Sequence, residues 1–599
     1  MQVSPVPLAR LVVISLLGAA IFGSGTVLSK SPGPSGPMAP IGCPKDDSGL
    51  KLPPGFCATV FADDVGHARH LVVSPDGVVF VNTWSGRYYG KDDKTQSPDR
   101  GFLVALQDTH GKGKADVNQH FGETLNTGGA GGTGIALYGG FLYAEINDKI
   151  VRYEMAPGSI VPKSPSQTVV SGLPLGGDHP MHPFAIDASG SMYVDVASAT
   201  NSCQIKNRTL TSAGQDPCVE LETRGGIWQF DARKLNQVFT PGARFATGIR
   251  NGEGFAVDSA ARRVYATQHG RDQLHANWPD LYQAEEEATL PAEEVLLLAR
   301  GSDFGWPECY YDPGRKKLVL APEYGGDGGK KVGPCATKTG PVAAYPAHWA
   351  PNDLLYYDKQ AFPARYRNGL FIAFHGSWDR APYAQQGYNV VFQSLAGDEA
   401  GGTCEIFADG FAGPLKTPGT ALYRPSGLGL GPDGALYVAD DVRGRIYRIV
   451  YTGGAADAGA GRVTQCPDAA AGAGPISAAS EKPPEGTNPD AGAKLPVPPG
   501  ASADMVALGN RIFHGEVGGA ACTGCHGADG AGTPLGPNLA DKQWLWSDGS
   551  IAGIAASITQ GVMQPKQYRA PMPPLGGAQL SSEQVNALAA YVWGLSHRQ

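Results

Sequence analysis

Six times between residues 43 and 452 a polar turn cluster is followed by a short run of alternating or massed apolar residues. The repeats fall at 74–82, 138–145, 187–195, 258–267, 366–374 and 431–440. Three of them carry Asp76-Gly77, Asn368-Gly369 and Asp433-Gly434, pairs that make tight turns because both residue types tolerate positive φ. The alternation that follows is that of a strand with one face buried. Six strand–turn–strand units predict a mainly β region built as a six-bladed propeller. An ordinary sandwich with repeated hairpins is the plainer alternative, and six matching units weigh against it. The widest gap separates the fourth and fifth units and predicts inserted loops at 273–292 and 308–340. The pattern changes after residue 452. Residues 453–500 have no apolar periodicity and are rich in Ala, Gly and Pro, the composition of a linker. Residues 501–513 and 582–595 return to helical spacing, with Val585, Leu588, Ala589, Val592 and Leu595 on one face. They predict a small α domain over 501–599.

Composition agrees with this division. Of 599 residues, 131 are glycine or proline, about 22% against a usual ~12%, and only 17% are charged. A helical bundle, a coiled coil and a charged disordered chain are all excluded. The net charge of −8 argues against a nucleic-acid partner.

Arg10, the apolar stretch 11–22 and the small residues at 23–29 predict a signal peptide over 1–29 and a periplasmic or secreted protein. The apolar stretch is short for a membrane span of ~20 residues, and no later stretch is long enough. Eight of the ten cysteines then suggest disulfides. Local pairing gives 43–57, 203–218, 309–335 and 404–466.

The other two cysteines form Cys522-Thr-Gly-Cys525-His526, the C-x-x-C-H attachment motif of c-type haem. Two thiols at this spacing reach the two vinyl groups, and His526 binds the iron from one side. Met563 and Met572 are candidates for the other. Met572 stands in Ala570-Pro-Met-Pro-Pro-Leu575, and with Gly536-Pro-Asn-Leu539 it resembles loops of the cytochrome c family. That resemblance favours Met572 and implies an electron carrier, because His/Met ligation raises the potential over two nitrogens. The Gly-rich stretch 129–134 contains G-x-G-x-x-G but leads into a strand, with no helix after it. A Rossmann nicotinamide site needs strand, turn and helix in order, and this stretch is read as a plain loop.

Three further segments carry a second resemblance. They are Thr247-Gly-Ile-Arg250-Asn251-Gly-Glu-Gly; Gln268-His269-Gly270-Arg271-Asp272 with the following Glu293-Glu294 and 301–307; and Tyr423-Arg424-Pro-Ser-Gly. Over residues 50–452 the chain resembles six-bladed sugar dehydrogenases that use pyrroloquinoline quinone (PQQ), including soluble glucose dehydrogenase and the L-sorbosone dehydrogenase-like branch. The resemblance implies that Arg250 and Asn251 contact PQQ and that Arg424 grips one of its carboxylates. It implies that His269 lines the cofactor site, and that the main-chain carbonyls of Gly270 and Arg271 hold Ca²⁺. The chemistry suits the residue types. A guanidinium forks onto carboxylates, calcium takes oxygen ligands and polarises a quinone carbonyl, and Arg250 would stabilise charge as hydride arrives. The base that removes the alcohol proton corresponds to His179 by ungapped matching, with His182 three residues away.

The chain also departs from the pattern. The carboxylate that supports the base aligns with Ser198, so Asp178 or another group must substitute. The PQQ-contacting lysine of the glucose enzymes is missing; His375, Trp378 and Arg380 fill that segment, with His375 and Trp378 expected at the cofactor. The second carboxylate-binding arginine aligns near Ser426. His348-Trp349 resembles a loop at the entrance. The implied function is a periplasmic quinohaemoprotein dehydrogenase. It oxidises a sugar, sugar aldehyde or polyol with PQQ and passes electrons through haem c to a respiratory cytochrome or oxidase. The alternatives are a calcium-dependent propeller lactonase or hydrolase, and a non-catalytic docking module that delivers a cytochrome.

Overall fold

The structure is a computed structural model. It describes residues 47–83, 101–124, 132–453, 464–474 and 494–598, apart from 157, 381–382, 415 and 417–420 and, in the C-terminal region, 516, 518–519, 521, 528, 533–535, 563–565, 569–571, 573 and 579. The expected signal peptide, Cys43, Met563 and residues 129–131 lie outside the described residues.

Six blades form the propeller, each built on four antiparallel strands, and the second is extended by Gln237–Val238, which pairs parallel with Gln167–Ser171. The blades' first strands are Ala68–Val73, Ile135–Tyr138, Phe184–Ile186, Phe255–Asp258, Pro351–Tyr356 and Pro425–Leu430. Each is joined through one of the six turns read from the sequence to a second strand: Val79–Thr83, Phe141–Ile146, Ser191–Val196, Arg263–Gln268, Gly369–Phe374 and Leu436–Asp440. Gly77 and Gly434 take φ of 85° and 82°, which a side chain would resist. First strands of neighbouring blades face one another around a closed ring. The last blade takes its outer strand from the start of the chain: Phe56–Ala62 pairs antiparallel with Ile446–Tyr451. Second strands are almost wholly buried, for instance all six residues of Gly369–Phe374. Such strands read as apolar runs because both faces meet neighbouring blades. Aromatic rings fill the space between the fifth and sixth blades, where Tyr357, Phe362, Phe371 and Phe407 pack together.

The inserted loops fold as a unit of their own, with short helices at Leu274–Asn277 and Ala284–Thr289 and a hairpin of Cys309–Asp312 with Lys317–Leu320. Three of the expected disulfides are present, Cys203–Cys218, Cys309–Cys335 and Cys404–Cys466, and Cys57 is also disulfide-bonded.

The C-terminal region is helical, with Ala503–Phe513, Cys522–His526, Ile551–Gln560 and Ser582–Ser596. Ser502, Ser550 and Ser581 cap three of these helices by accepting from a backbone N–H in the first turn. Gly509 lets the first helix cross the last closely, since a Cβ there would lie 2.0 Å from the Ala587 carbonyl. Among the described residues no helix is long and apolar enough to cross a membrane.

Candidate active site

In an antiparallel hairpin, the chain enters the first strand and leaves the second at the same end. The candidate residues sit at those two places. His179 and His182 precede the third blade's first strand, Arg250 and Asn251 the fourth's, His348 the fifth's and Arg424 the sixth's. Ser198, His269–Asp272, His375 and Asp441 follow second strands. Blade geometry therefore gathers them on one face of the ring.

His179 is oriented by a backbone group. Its Nδ1 lies 3.0 Å from the Ser198 carbonyl and 3.1 Å from Ser198 Oγ. A carbonyl can only accept, so Nδ1 carries the proton and Nε2 keeps its lone pair. Nε2 makes no hydrogen bond among the described residues. Burial, helped by the Arg250 charge, pushes the ring's pKa down to about 3, which keeps it neutral. Position 198 thus orients His179 through its main chain. Asp178, the expected substitute, pairs instead with Arg208 Nε at 2.9 Å.

Arg250 is 3% exposed and braced on three sides. Nε donates to Asn201 O at 3.0 Å, Nη1 to Gly270 O at 2.8 Å, and Nη2 to Asn201 Oδ1 at 3.0 Å and Asp272 Oδ2 at 2.7 Å. Asp272 Oδ2 also accepts from Arg208 Nη2 at 3.0 Å. One carboxylate thus serves two buried guanidiniums. Burial raises its pKa, but the two arginines outweigh this and hold it well below the usual carboxylate range. Asp272, His348 and Asp379 bring ligand atoms within 4.8 Å of one another. His348 donates through Nε2 to Glu287 O at 2.7 Å. Burial disfavours its charge, yet Asp272 and Asp379 raise its pKa to about 9. Asn201 and Arg208 stand in no motif, and Asp272 and Asp379 lie inside segments read from the sequence without being given a role there.

A second group closes the ring. His375 Nε2 meets Asp441 Oδ1 at 2.8 Å, and Arg69 Nη1 donates to Asp441 Oδ2 at 2.6 Å. Burial, with Arg424 and in spite of Asp441, lowers the His375 pKa to about 4. Arg424 donates to His375 O at 2.9 Å and Gly376 O at 2.8 Å, and its Nη1 makes no hydrogen bond among the described residues. Ser426, at the place of the expected second arginine, donates to Ala68 O at 2.7 Å. The next residue, Arg69, brings a guanidinium to the same wall from the first blade. His269 donates through Nε2 to Pro351 O at 3.1 Å, and burial with the Arg250 charge lowers its pKa to about 3. Asn251 is 4% exposed and its Oδ1 has no hydrogen-bond partner among the described residues. A buried acceptor left open costs on the order of 1–3 kcal/mol, so this atom is suited to a bound group.

Other expected residues point elsewhere. His182 is buried with both ring nitrogens engaged, Nδ1 with Glu145 Oε1 at 3.3 Å and Nε2 with Pro174 O at 3.0 Å. The same carboxylate accepts from the amides of Thr133 and Gly134 at 2.7 and 3.0 Å. His182 therefore ties down the end of the Gly-rich loop and leaves no nitrogen for a substrate. The Arg271 side chain turns to Glu323, 2.5 Å away, so only its carbonyl is available as a ligand. Trp349 is 2% exposed and packs on Phe374. Trp378 is 38% exposed.

In the helical domain, Cys522 and Cys525 stand one helical turn apart and neither is disulfide-bonded, unlike the described cysteines outside this motif. His526 donates through Nδ1 to Pro537 O at 2.9 Å, in the loop picked out from the sequence, and this leaves Nε2 for iron. Two glycines keep the surroundings open: a Cβ at Gly536 would lie 2.9 Å from the Cys525 carbonyl, and one at Gly576 3.5 Å from Cys522 Sγ. Met572 pairs with Val562 through two backbone hydrogen bonds of 2.7 and 2.9 Å, on the loop that carries Gly576 past Cys522. These residues fit a covalently held haem. Arg208 and Asp379, on the propeller, are near enough for their charges to act on the Cys525 thiol.

Fold and sites define a six-bladed propeller with a charged, histidine-rich face, joined to a c-type cytochrome domain. The chain belongs to the TrAA12-like family, whose description matches residues 50–452, and the cytochrome c family matches residues 506–596. A PQQ-dependent pyranose dehydrogenase of Coprinopsis cinerea is 27% identical over 277 residues, 40% of this chain and 37% of that protein. The cbb3-type cytochrome c oxidase subunit FixP of Rhizobium etli is 38% identical over 79 residues, 13% of this chain and 27% of that one. Among solved structures, the calcium structure of the Trichoderma reesei family AA12 protein superposes with a TM-score of 0.53 at 16% identity, covering 67% of this chain and 97% of that one. The chain spans about half the length, or less, of the curated relatives it matches.

Proposed function

We propose that the protein is a periplasmic quinohaemoprotein dehydrogenase. It oxidises a C–OH group of a pyranose or a related sugar aldehyde or polyol, and passes the electrons through its own haem to a cytochrome-type acceptor. The observation that carries this reading is His179: a half-buried neutral imidazole with its tautomer fixed by the Ser198 carbonyl, in the field of Arg250.

PQQ, when bound, takes up the hydride that leaves the substrate carbon, and haem c accepts electrons one at a time. The chain's own residues do the rest. His179 Nε2 receives the hydroxyl proton as the C–H bond breaks with its electron pair. A positioned base of this kind contributes roughly 10²–10⁴-fold. Arg250, held rigidly by Asn201 and Asp272, places fixed positive charge where negative charge develops, and it need not move to do so. Arg424 and Arg69 would supply guanidiniums for the carboxylates of PQQ, and the Oδ1 of Asn251 would accept a hydrogen bond from it. The Gly270 and Arg271 carbonyls would hold calcium; Gly270 O keeps one lone pair free beside its bond from Arg250. Trp378 is placed to stack on a sugar ring.

The test reconstitutes the full chain with PQQ and Ca²⁺ and follows the haem α-band while aldoses, polyols and sugar aldehydes are offered. Substrate-dependent reduction of the haem is expected. Absence of any dehydrogenase activity across the panel, with dye or with haem, overturns the reading.

A further inference from the structure

The stretch read from composition as a linker is anchored along part of its length. Thr464 O accepts from the amide of Ile406 at 2.8 Å, Gln465 bridges to Glu405, and Cys466 is disulfide-bonded to Cys404 and donates its amide to Cys404 O at 3.0 Å. These contacts lie on Glu399–Ala408, the outer strand of the fifth blade. Further on, Arg380 Nη2 donates to Ala473 O at 2.9 Å. Arg380 is 2% exposed, and its remaining donors go to main-chain carbonyls: Ala288, Ala347 at 3.4 Å and Ala384 at 3.2 Å. A buried guanidinium that meets only carbonyls has no ion pair to offset its desolvation, and burial lowers its pKa to about 10. What it gains is geometry, since it ties four separate chain segments together. Ala473 has no exposed surface, and a Cβ at Gly474 would lie 3.6 Å from Gln386 Nε2. Arg380 adjoins Asp379 in the segment that also holds His375 and Trp378, so the anchored stretch ends at the rim of the cavity.

We propose that residues 464–474 are a strap that carries the root of the tether from the outer edge of the fifth blade to the rim of the catalytic cavity, with Arg380 as its pin and the cytochrome domain as the partner it delivers. Only residues 475–493 then separate the rim from the helical domain. The inference rests on the intramolecular electron-transfer reading above. The effective concentration of a tethered domain falls roughly as the −3/2 power of tether length. Releasing the strap back to residue 453 about doubles the tether, so the rate of haem reduction drops about threefold. Arg380 is a positioning residue; it makes no contact with the reacting groups.

The test uses the full chain and compares wild type, Arg380→Ala, Cys404→Ser with Cys466→Ser, and the triple variant. The first readout is hydrogen exchange of residues 464–474 in the chain without added PQQ. Protection is expected in wild type, and exchange at least tenfold faster in the triple variant. The second is the stopped-flow rate of haem reduction by substrate, divided by turnover with a soluble dye. It should fall about threefold in the triple variant and recover when residues 475–484 are also deleted, which a merely structural defect would not do. Unprotected amides at 464–474 in wild type overturn the strap. Protected amides with an unchanged normalised rate in the triple variant overturn its role in delivery. Dye turnover without haem reduction in wild type overturns the electron-transfer reading, and the exchange experiment still decides the strap.

Discussion

Replacing Asp272 by asparagine keeps the side chain's shape and removes one negative charge from a group of buried cations. Asp272 Oδ2 serves Arg250 at 2.7 Å and Arg208 at 3.0 Å, and Oδ1 lies 3.8 Å from His348 Nδ1. Taking one partner from a buried ion pair costs about 3–5 kcal/mol because the other charge stays behind unpaired. The propeller matched over residues 50–452 has an unfolding entropy of about 0.85 kcal/mol/K at ~2.1 cal/mol/K per residue. Asp272→Asn should therefore lower the propeller's Tm by about 4–6 °C. The control is Asp231→Asn, which makes the same charge change at an exposed pair with Arg233, 63% exposed. Surface pairs are worth about 0–1 kcal/mol, so its Tm should move by about 1 °C or less. Thermal unfolding at pH 7, followed by far-UV circular dichroism with the cytochrome transition tracked separately at the Soret band, reads both variants. Equal shifts for Asp272→Asn and Asp231→Asn would refute the reasoning, since burial would then not decide the cost.

Three more outcomes are expected. His179→Gln should lower kcat/KM by roughly 10²–10⁴-fold with the fold intact, whereas His182→Gln should lower Tm and leave the pH profile of turnover unchanged; the opposite pattern makes His182 the base. Met572→Ala should lower the haem midpoint potential by on the order of 100 mV in a spectroelectrochemical titration, and an unchanged potential transfers the role to Met563. In the chain without PQQ, His179 and His269 have pKa values lowered to about 3 and His375 to about 4, first by burial. The unfolded chain takes up these protons near pH 6.5 and the folded one does not, so stability falls as pH drops from 6.5 toward 4. The loss is about 1.4 kcal/mol per histidine per pH unit. His348, raised to about 9, has the opposite sign: its contribution is full below pH 6.5 and is lost as pH rises through 9. A Tm that is flat from pH 4.5 to 8.5 contradicts both assignments.

The six blade turns were legible because a tight turn is a local event, fixed by a dipeptide and the strand after it. The haem motif was legible for the same reason, since one helical turn sets the spacing of Cys522, Cys525 and His526. Neighbouring cysteines gave the disulfides 203–218, 309–335 and 404–466. The wiring of the cavity was not legible. Ser198 acts through a carbonyl, which every residue possesses, so the alignment of a serine with an expected carboxylate suggested a gap that the fold does not have. Arg208 reaches Asp272 across 64 positions, and Arg69 reaches Asp441 across 372. No periodicity records such pairs. Composition also made 453–500 look uniform, because the small residues that anchor 464–474 to the fifth blade are of the same kinds as those around them.

The outer strand of the last blade, Phe56–Ala62, has its sheet partner in Ile446–Tyr451, about 400 residues later in the chain. Joining the two ends costs about 5 kcal/mol of chain entropy on the logarithmic scaling of loop length. No earlier segment can repay this cost. During synthesis from the N-terminus the first strand waits beside an unfinished ring, and the ring shuts only when the sixth blade arrives. The haem motif at Cys522–His526 follows residue 451 in the chain, so a chain cut short before residue 446 would leave both an open ring and no haem motif.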